Sequence, residues 1–149
     1  MFKTAIILLT TIIVPFYSWA DGSLIIVPSQ HSVSQTADRF VDIVQKKGFN
    51  IFARVNHREN AEKVGMTLRP TEVIIFGNPK VGTKLMQCDQ NVAIDLPQKA
   101  LIYEDEQGTA WIAYNNPIYL KKRHDIKGCD PIIDKVGAVL NNLASQAAQ

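Results

Sequence analysis

The residue types best suited to holding a ligand fall in one short run, Gly77-Asn78-Pro79-Lys80-Val81-Gly82-Thr83-Lys84. It follows Val73-Ile74-Ile75-Phe76, an unbroken apolar stretch that reads as a strand covered on both faces. Gly77 permits a turn that other residues resist, Asn78 can cap a helix, and Pro79 suits the first helical position. A strand feeding into a capped helix gathers backbone N–H groups at one spot, where a small anion can be held. Gly77 and Gly82 also stand in the G-x-x-x-x-G spacing of a phosphate-binding loop, in the right context. Two details break that match: Thr83 and Lys84 stand in reversed order, and Pro79 removes an N–H from the cradle. Nucleotide binding is therefore not expected. Simple capping of a helix by Asn78 explains the run without any ligand, and a site for a smaller anion is the functional alternative.

Acid–base chemistry has fewer candidates. The histidines, His31, His57 and His124, stand singly. His57 follows a strand beside Arg58-Glu59, and either it or His124 with Asp95 as carboxylate would make the acid–base pair of an enzyme. The plainer readings are a surface loop for His57 and a favourable helix C-terminus for His124. Glu104, Asp105 and Glu106 sit at a hairpin tip, where charge keeps a turn solvated. No serine lies in a nucleophile elbow, and Met66 and Met86 read as core filler. No spacing fits zinc, haem or copper, so neither metal nor cofactor is expected. No reaction can be named from these residues.

The elements that position them follow from local signals. Leu24 to Val27 is a short strand ended by Pro28. Ser32 and Gln35 form a capping box for a helix carrying Val33, Ala37, Phe40, Val41 and Val44 on one face until Gly48. Phe49 to Val55 is a second strand, and His57 to Lys63 a short helix or loop. After the Val73 strand, a helix from Pro79 to about Cys88 turns Val81, Leu85 and Met86 inward. Ala100–Glu104 and Thr109–Tyr114 make a hairpin. Asn116-Pro117 and Asp130-Pro131 open two more helices, the last with Ile132, Ile133, Val136, Val139, Leu140 and Leu143 on one face. An Asn or Asp cap followed by proline thus recurs three times. The order predicts a single α+β domain, a mostly antiparallel sheet of about five strands with helices packed on one face.

The first residues read as a signal peptide, residues 1–20. Lys3 gives a basic start, Ala5 to Val14 is apolar, and Ser18-Trp19-Ala20 offers small residues to a signal peptidase, with cleavage before Asp21. The apolar core is too short to span a bilayer comfortably, so no stable membrane anchor remains after cleavage. The protein is expected in the periplasm or outside the cell. The 149-residue chain carries a formal charge of +2, and loss of Lys3 lowers it further. That balance gives no electrostatic case for nucleic acid. In an oxidising compartment the two cysteines, Cys88 and Cys129, are expected to pair, stabilising the fold by roughly 4 kcal/mol in the chain-entropy model. A shared metal site is the rival, and it lacks neighbouring His or Cys ligands.

Taken together, PSQHSVSQTADR, FARVNH, FGNPKVGTKLMQ, IDLPQKALIYED and YNNPIYLKKRH resemble the DUF302 family of small bacterial and archaeal proteins. The likeness runs from about Leu24 to His124. It implies a compact α+β domain similar to a known dimeric fold, hence a homodimer, and it implies no reaction. The recurring polar positions of the pattern fall on His57, Asn78, Pro79, Gly82, Thr83, Asp95, Lys99, Tyr114, Asn115, Tyr119 and His124. The stretch from about 129 to 149 reads as a C-terminal helical extension, tied to the core by the Cys88–Cys129 link.

Three functions remain open. The first is a periplasmic binding module, with a small anionic ligand held by His57, Gly77, Asn78, Lys80, Gly82, Thr83, Asp95 and Lys99. The second is a structural or interaction homodimer without a ligand. The third is a hydrolase-like or other enzyme using His57 or His124 with Asp95. If His57, Asn78, Thr83 and Lys99 do not share one cleft, a binding site built from all of them fails.

Overall fold

The computed structural model describes residues 22–149, so the expected cleavage site between Ala20 and Asp21 lies outside the described residues. In chain order the elements are β1 (Leu24–Pro28), α1 (Val33–Lys46), β2 (Asn50–Asn56), α2 (His57–Lys63), β3 (Thr71–Gly77) and α3 (Pro79–Cys88). A 3-10 segment (Gln90–Asp95), β4 (Gln98–Glu104), β5 (Ala110–Asn115), α4 (Pro117–Arg123) and α5 (Asp130–Ala148) follow. The strands form one antiparallel sheet in the order β1-β5-β4-β3-β2. This is the expected α+β architecture.

The starts of the helices show why the local cues were sufficient. Ser32 accepts from the Gln35 backbone N–H, and the Gln35 side chain accepts from the Ser32 N–H, a complete capping box. Asn78 and Asn116 each accept from the N–H two residues on, with proline between, at the starts of α3 and α4. The third Asx-Pro pair behaves differently. Cys129 occupies the N-cap of α5 and makes no side-chain cap bond. Asp130 lies one residue further, inside the first turn, and its carboxylate pairs with Lys121 of α4, an attraction that holds its pKa below the usual carboxylate range.

The core lies between one face of the sheet and the pair α1–α5. Ile74 and Phe76 of β3, Ala100 and Ile102 of β4 and Ile112 of β5 meet Phe40 and Val44 of α1 and Ile133, Leu140 and Leu143 of α5. Phe40 packs edge-on to Phe76, with ring centroids 5.1 Å apart. The reading of β3 as covered on both faces is corrected here. Its inward residues are buried, but Val73 and Ile75 face the other side of the sheet and are only half-buried. An interior strand of an antiparallel sheet needs only one covered face, and β-branched residues on the open face still suit the pleat.

The C-terminal helix is also corrected. Expected as an extension, α5 instead supplies Leu143, Ala144 and Ala147, none of which reaches solvent. Arg39 of α1 donates to the carbonyls of Ala147 and Gln146, so even its last turn is stitched into the fold. The Sγ atoms of Cys88 and Cys129 adjoin across a Cα–Cα distance of 6.5 Å, joining the end of α3 to the start of α5.

Candidate functional site

The end of β3 opens onto the principal cavity. A space of about 490 Å³ lies between the start of β2, the β3–α3 turn, α3, the segment Ala93–Gln98 and one side of α5. Its walls are Phe49, Phe52, Phe76, Val81, Leu85, Met86, Leu96, Pro97, Val136, Val139 and Leu140, and four of the expected site residues, Gly77, Asn78, Gly82 and Thr83, line it as well. A Cβ at Gly77 would stand 3.5 Å from Pro97 and 3.6 Å from the Phe52 ring, ordinary contact distances, so the turn lies close against both. Phe52 lies where the β2–β3 register shifts, between Ile51 and Ala53. A bulge of this kind re-aims a side chain, and Phe52 is left 54% exposed beside the cavity.

The start of α3 does not offer the spare donors expected of it. Pro79 has no N–H, the Lys80 N–H goes to Asn78 Oδ1 at 3.0 Å, and those of Val81 and Gly82 both go to the Asn78 carbonyl. A capped helix start is thus already satisfied, and an anion would find no free N–H in this first turn. Lys80 is exposed on α3 and does not line the cavity.

The remaining expected site residues lie elsewhere. His57 opens α2 at the far end of β2, where Asn56 pairs with Glu72; Gly77 pairs with Asn50 at the other end. Two antiparallel strands therefore hold His57 and the Gly77 turn a full strand length apart. His57 is exposed and has no side-chain partner among the described residues. Lys99 is turned to the open side of the sheet opposite Ile75, donating to the carbonyls of Asp95 and Pro97. A single cleft containing His57, Asn78, Thr83 and Lys99 does not exist, and that eight-residue site is withdrawn.

Asp95 does meet one of its two proposed partners. His124 Nε2 lies 2.5 Å from Asp95 Oδ2, with side-chain exposures of 7% and 11%. Arg123 donates to the other carboxylate oxygen at 3.1 Å. The two residues close the end of the 3-10 segment onto the C-terminus of α4, and neither lines the cavity. Their geometry is that of a nearly enclosed latch between two elements. The other histidine offered for this role, His57, is far from Asp95's contacts.

Sequence reasoning missed several residues. Phe49, Phe52, Leu96 and Pro97 were read as strand or loop, and Lys135 was not considered. Lys135 is the sole charged residue among those lining the cavity, and it interrupts the apolar face of α5 one turn before Val139. That interruption was the available signal. Asp105 was also underestimated. It accepts from the Trp111 indole at 2.7 Å and from the N–H groups of Thr109 and Gln107, organising the β4–β5 hairpin. These bonds, the indole first, hold its pKa below the usual carboxylate range. Tyr114, one of the recurring positions of the family pattern, is buried on the helix-covered face, and burial raises the pKa of its hydroxyl. Among the described residues no group of three or more His, Cys, Asp or Glu could hold a metal ion.

Comparison with known proteins agrees with this architecture. The family model described as "Domain of unknown function DUF302" matches residues 25–143, a span that takes in most of α5. The crystal structure of an uncharacterized conserved DUF302 protein from Bacillus stearothermophilus superposes with a TM-score of 0.76 at 18% identity, covering 83% of this chain and 97% of that one. At that identity the likeness shows the fold alone. A protein named fluoride-specific ion channel FluC 1 from Brucella suis biovar 1 (strain 1330) is 43% identical over 112 residues, 75% of this chain and 44% of that protein. One named fluoride-specific ion channel FluC 2, from Brucella melitensis biotype 1, is 43% identical over 112 residues, 75% of this chain and 42% of that protein. The chain therefore spans less than half the length of these curated relatives.

Proposed function

The chain belongs to the DUF302 family, and from that premise we propose that it is an exported binding module that takes a small ligand into the cavity beside the β3–α3 turn. The observation that carries this reading is the cavity itself. Its size is within the range of small-molecule sites, its walls are apolar, and a few polar groups converge on it from α3, β4 and α5. Packed interiors rarely leave such a space unfilled. Catalysis ranks below binding because the acid–base pair the fold assembles, Asp95 and His124, lies away from this space.

The test is native mass spectrometry of the protein recovered from the periplasm of its own source. A retained small molecule, lost when Val139→Trp fills the cavity, supports the reading. An empty wild-type protein that also binds nothing in a broad ligand screen overturns it.

A second reading concerns assembly. The sheet face opposite α1 and α5 presents Ile26, Val73, Ile75, Leu101, Tyr103 and Trp111 in register across four strands. Most of these are half-buried, and Ile26 is 42% exposed. Contiguous apolar surface of this kind fits a partner surface. We propose that two copies bury it against each other as a homodimer, a state compatible with ligand binding on the other side.

The likeness to proteins named as fluoride channels fits the same picture. Among the described residues no helix is long and apolar enough to cross a membrane. The chain matches less than half of those proteins, so their named activity is not carried over to it.

A further inference from the structure

We infer that the cavity takes an amphipathic carboxylate, its apolar body among the aromatic and aliphatic walls and its carboxylate at Lys135. This rests on the cavity being a binding site, and it adds the chemical class of the occupant.

The walls decide the body. Phe49, Phe52, Phe76, Leu96, Val139 and Leu140 offer no hydrogen-bonding side-chain atom, so a polar body would lose hydration there without recovering it. Phe52, more than half exposed at this site, is the kind of surface that an apolar ligand covers. The charges decide the head. Among the described residues Lys135 carries the only charge on the lining, and no carboxylate shares it. Its neighbour Asp134 lines a separate small groove with Pro117 and Ile118, on another side of α5. Lys135 lines the cavity and is exposed, and no ion pair engages it among the described residues.

A second donor belongs to Asn78. Its Oδ1 is committed to the Lys80 N–H, which leaves the amide Nδ2 available on a residue that lines the cavity. The anion selectivity that the sequence suggested for the start of α3 thus moves across the cavity to α5, where an uncompensated charge is present.

The experiment is isothermal titration calorimetry on delipidated protein with decanoate, decanol and acetate. The expected result is that decanoate binds about tenfold more tightly than decanol, and that acetate gives no heat. Lys135→Gln should weaken decanoate to the level of decanol, whereas Lys135→Arg keeps the preference. Val139→Trp, shown folded by circular dichroism, should bind neither amphiphile. Equal binding of decanoate and decanol by wild type, or a preference that survives Lys135→Gln, overturns the carboxylate assignment and leaves the cavity reading standing. Failure of wild type to bind either amphiphile overturns the assignment as well. An unrelated small molecule retained from the periplasm would then show that the cavity binds a different class.

Discussion

Asp95 Oδ2 and His124 Nε2 lie 2.5 Å apart, with both side chains almost wholly enclosed. The contact joins the 3-10 segment to the end of α4 across the chain. Because the pair is nearly enclosed and away from the cavity, a structural role is expected. His124→Ala is expected to cost about 1–3 kcal/mol by leaving one carboxylate oxygen short of a partner. Urea unfolding measures this. A variant as stable as wild type would return the pair to consideration as a functional group held at some cost to stability.

The link between Cys88 and Cys129 has a redox signature. Cys129→Ser should lower stability by roughly 2–4 kcal/mol under oxidising conditions and by much less when reductant is present. Thiol titration of the native, unreduced protein should find no free thiol; two reactive thiols would show that the cysteines stay apart.

The place of α5 in the core can be tested by a single truncation of a side chain. Leu143 is wholly buried, and Leu143→Ala should cost about 2–5 kcal/mol. A cost within the range of surface changes would mean that α5 is not part of the core.

Asp105 gives a pH dependence with a definite sign. Its folded-state pKa is depressed, by the Trp111 indole first and then by the backbone N–H of Thr109. Its contribution is therefore present above the unfolded-state pKa and is lost as pH falls through the lower, folded-state value. Asp105→Ala should lower the Tm at neutral pH, and the gap from wild type should close at acid pH, where both proteins lack the carboxylate charge. A gap that stays constant through the acid range would rule out the charge as its source.

Assembly is checked on the open sheet face. Leu101 lies there between Val73 and Ala113, and Leu101→Glu should convert a dimer into a folded monomer in analytical ultracentrifugation. If wild type is itself monomeric at micromolar concentration, the homodimer is excluded.

Much of the fold was legible because its signals are local. Ser32 with Gln35, and the Asn-Pro pairs at 78 and 116, mark helix starts within four residues of sequence, and the elements they open lie where expected. The site was less legible because its residues come from separate places. Phe49, Phe52, Leu96 and Lys135 share no motif, and only the packing of α5 against the end of the sheet brings them together. His57 and Gly77 illustrate the opposite case. Each borders a strand, but which strand ends coincide depends on antiparallel register, and the register sent them to opposite ends. Asp130 does not cap its helix because Asx-Pro fits both the N-cap and the first turn, and here the Cys129 carbonyl takes the first helical hydrogen bonds, from Ile132 and Ile133.

The position of β1 at the edge of the sheet has a consequence in time. Its sole strand neighbour is β5, through pairs from Leu24–Asn115 to Pro28–Trp111, and the residues just after it bond to β5 and to the last turn of α5 through Ser29–Ala110 and Gln30–Ala148. A chain that emerges from its N-terminus first has no partner for β1 until most of the remaining sequence has followed. The contacts that close this end of the sheet are among the longest-range in the molecule, and bringing such distant segments together slows folding. The first described strand to be made thus waits for its partner until β5 has followed, and a chain cut short before β5 keeps an unpaired apolar strand, Leu24-Ile25-Ile26-Val27, as its mark of incompleteness.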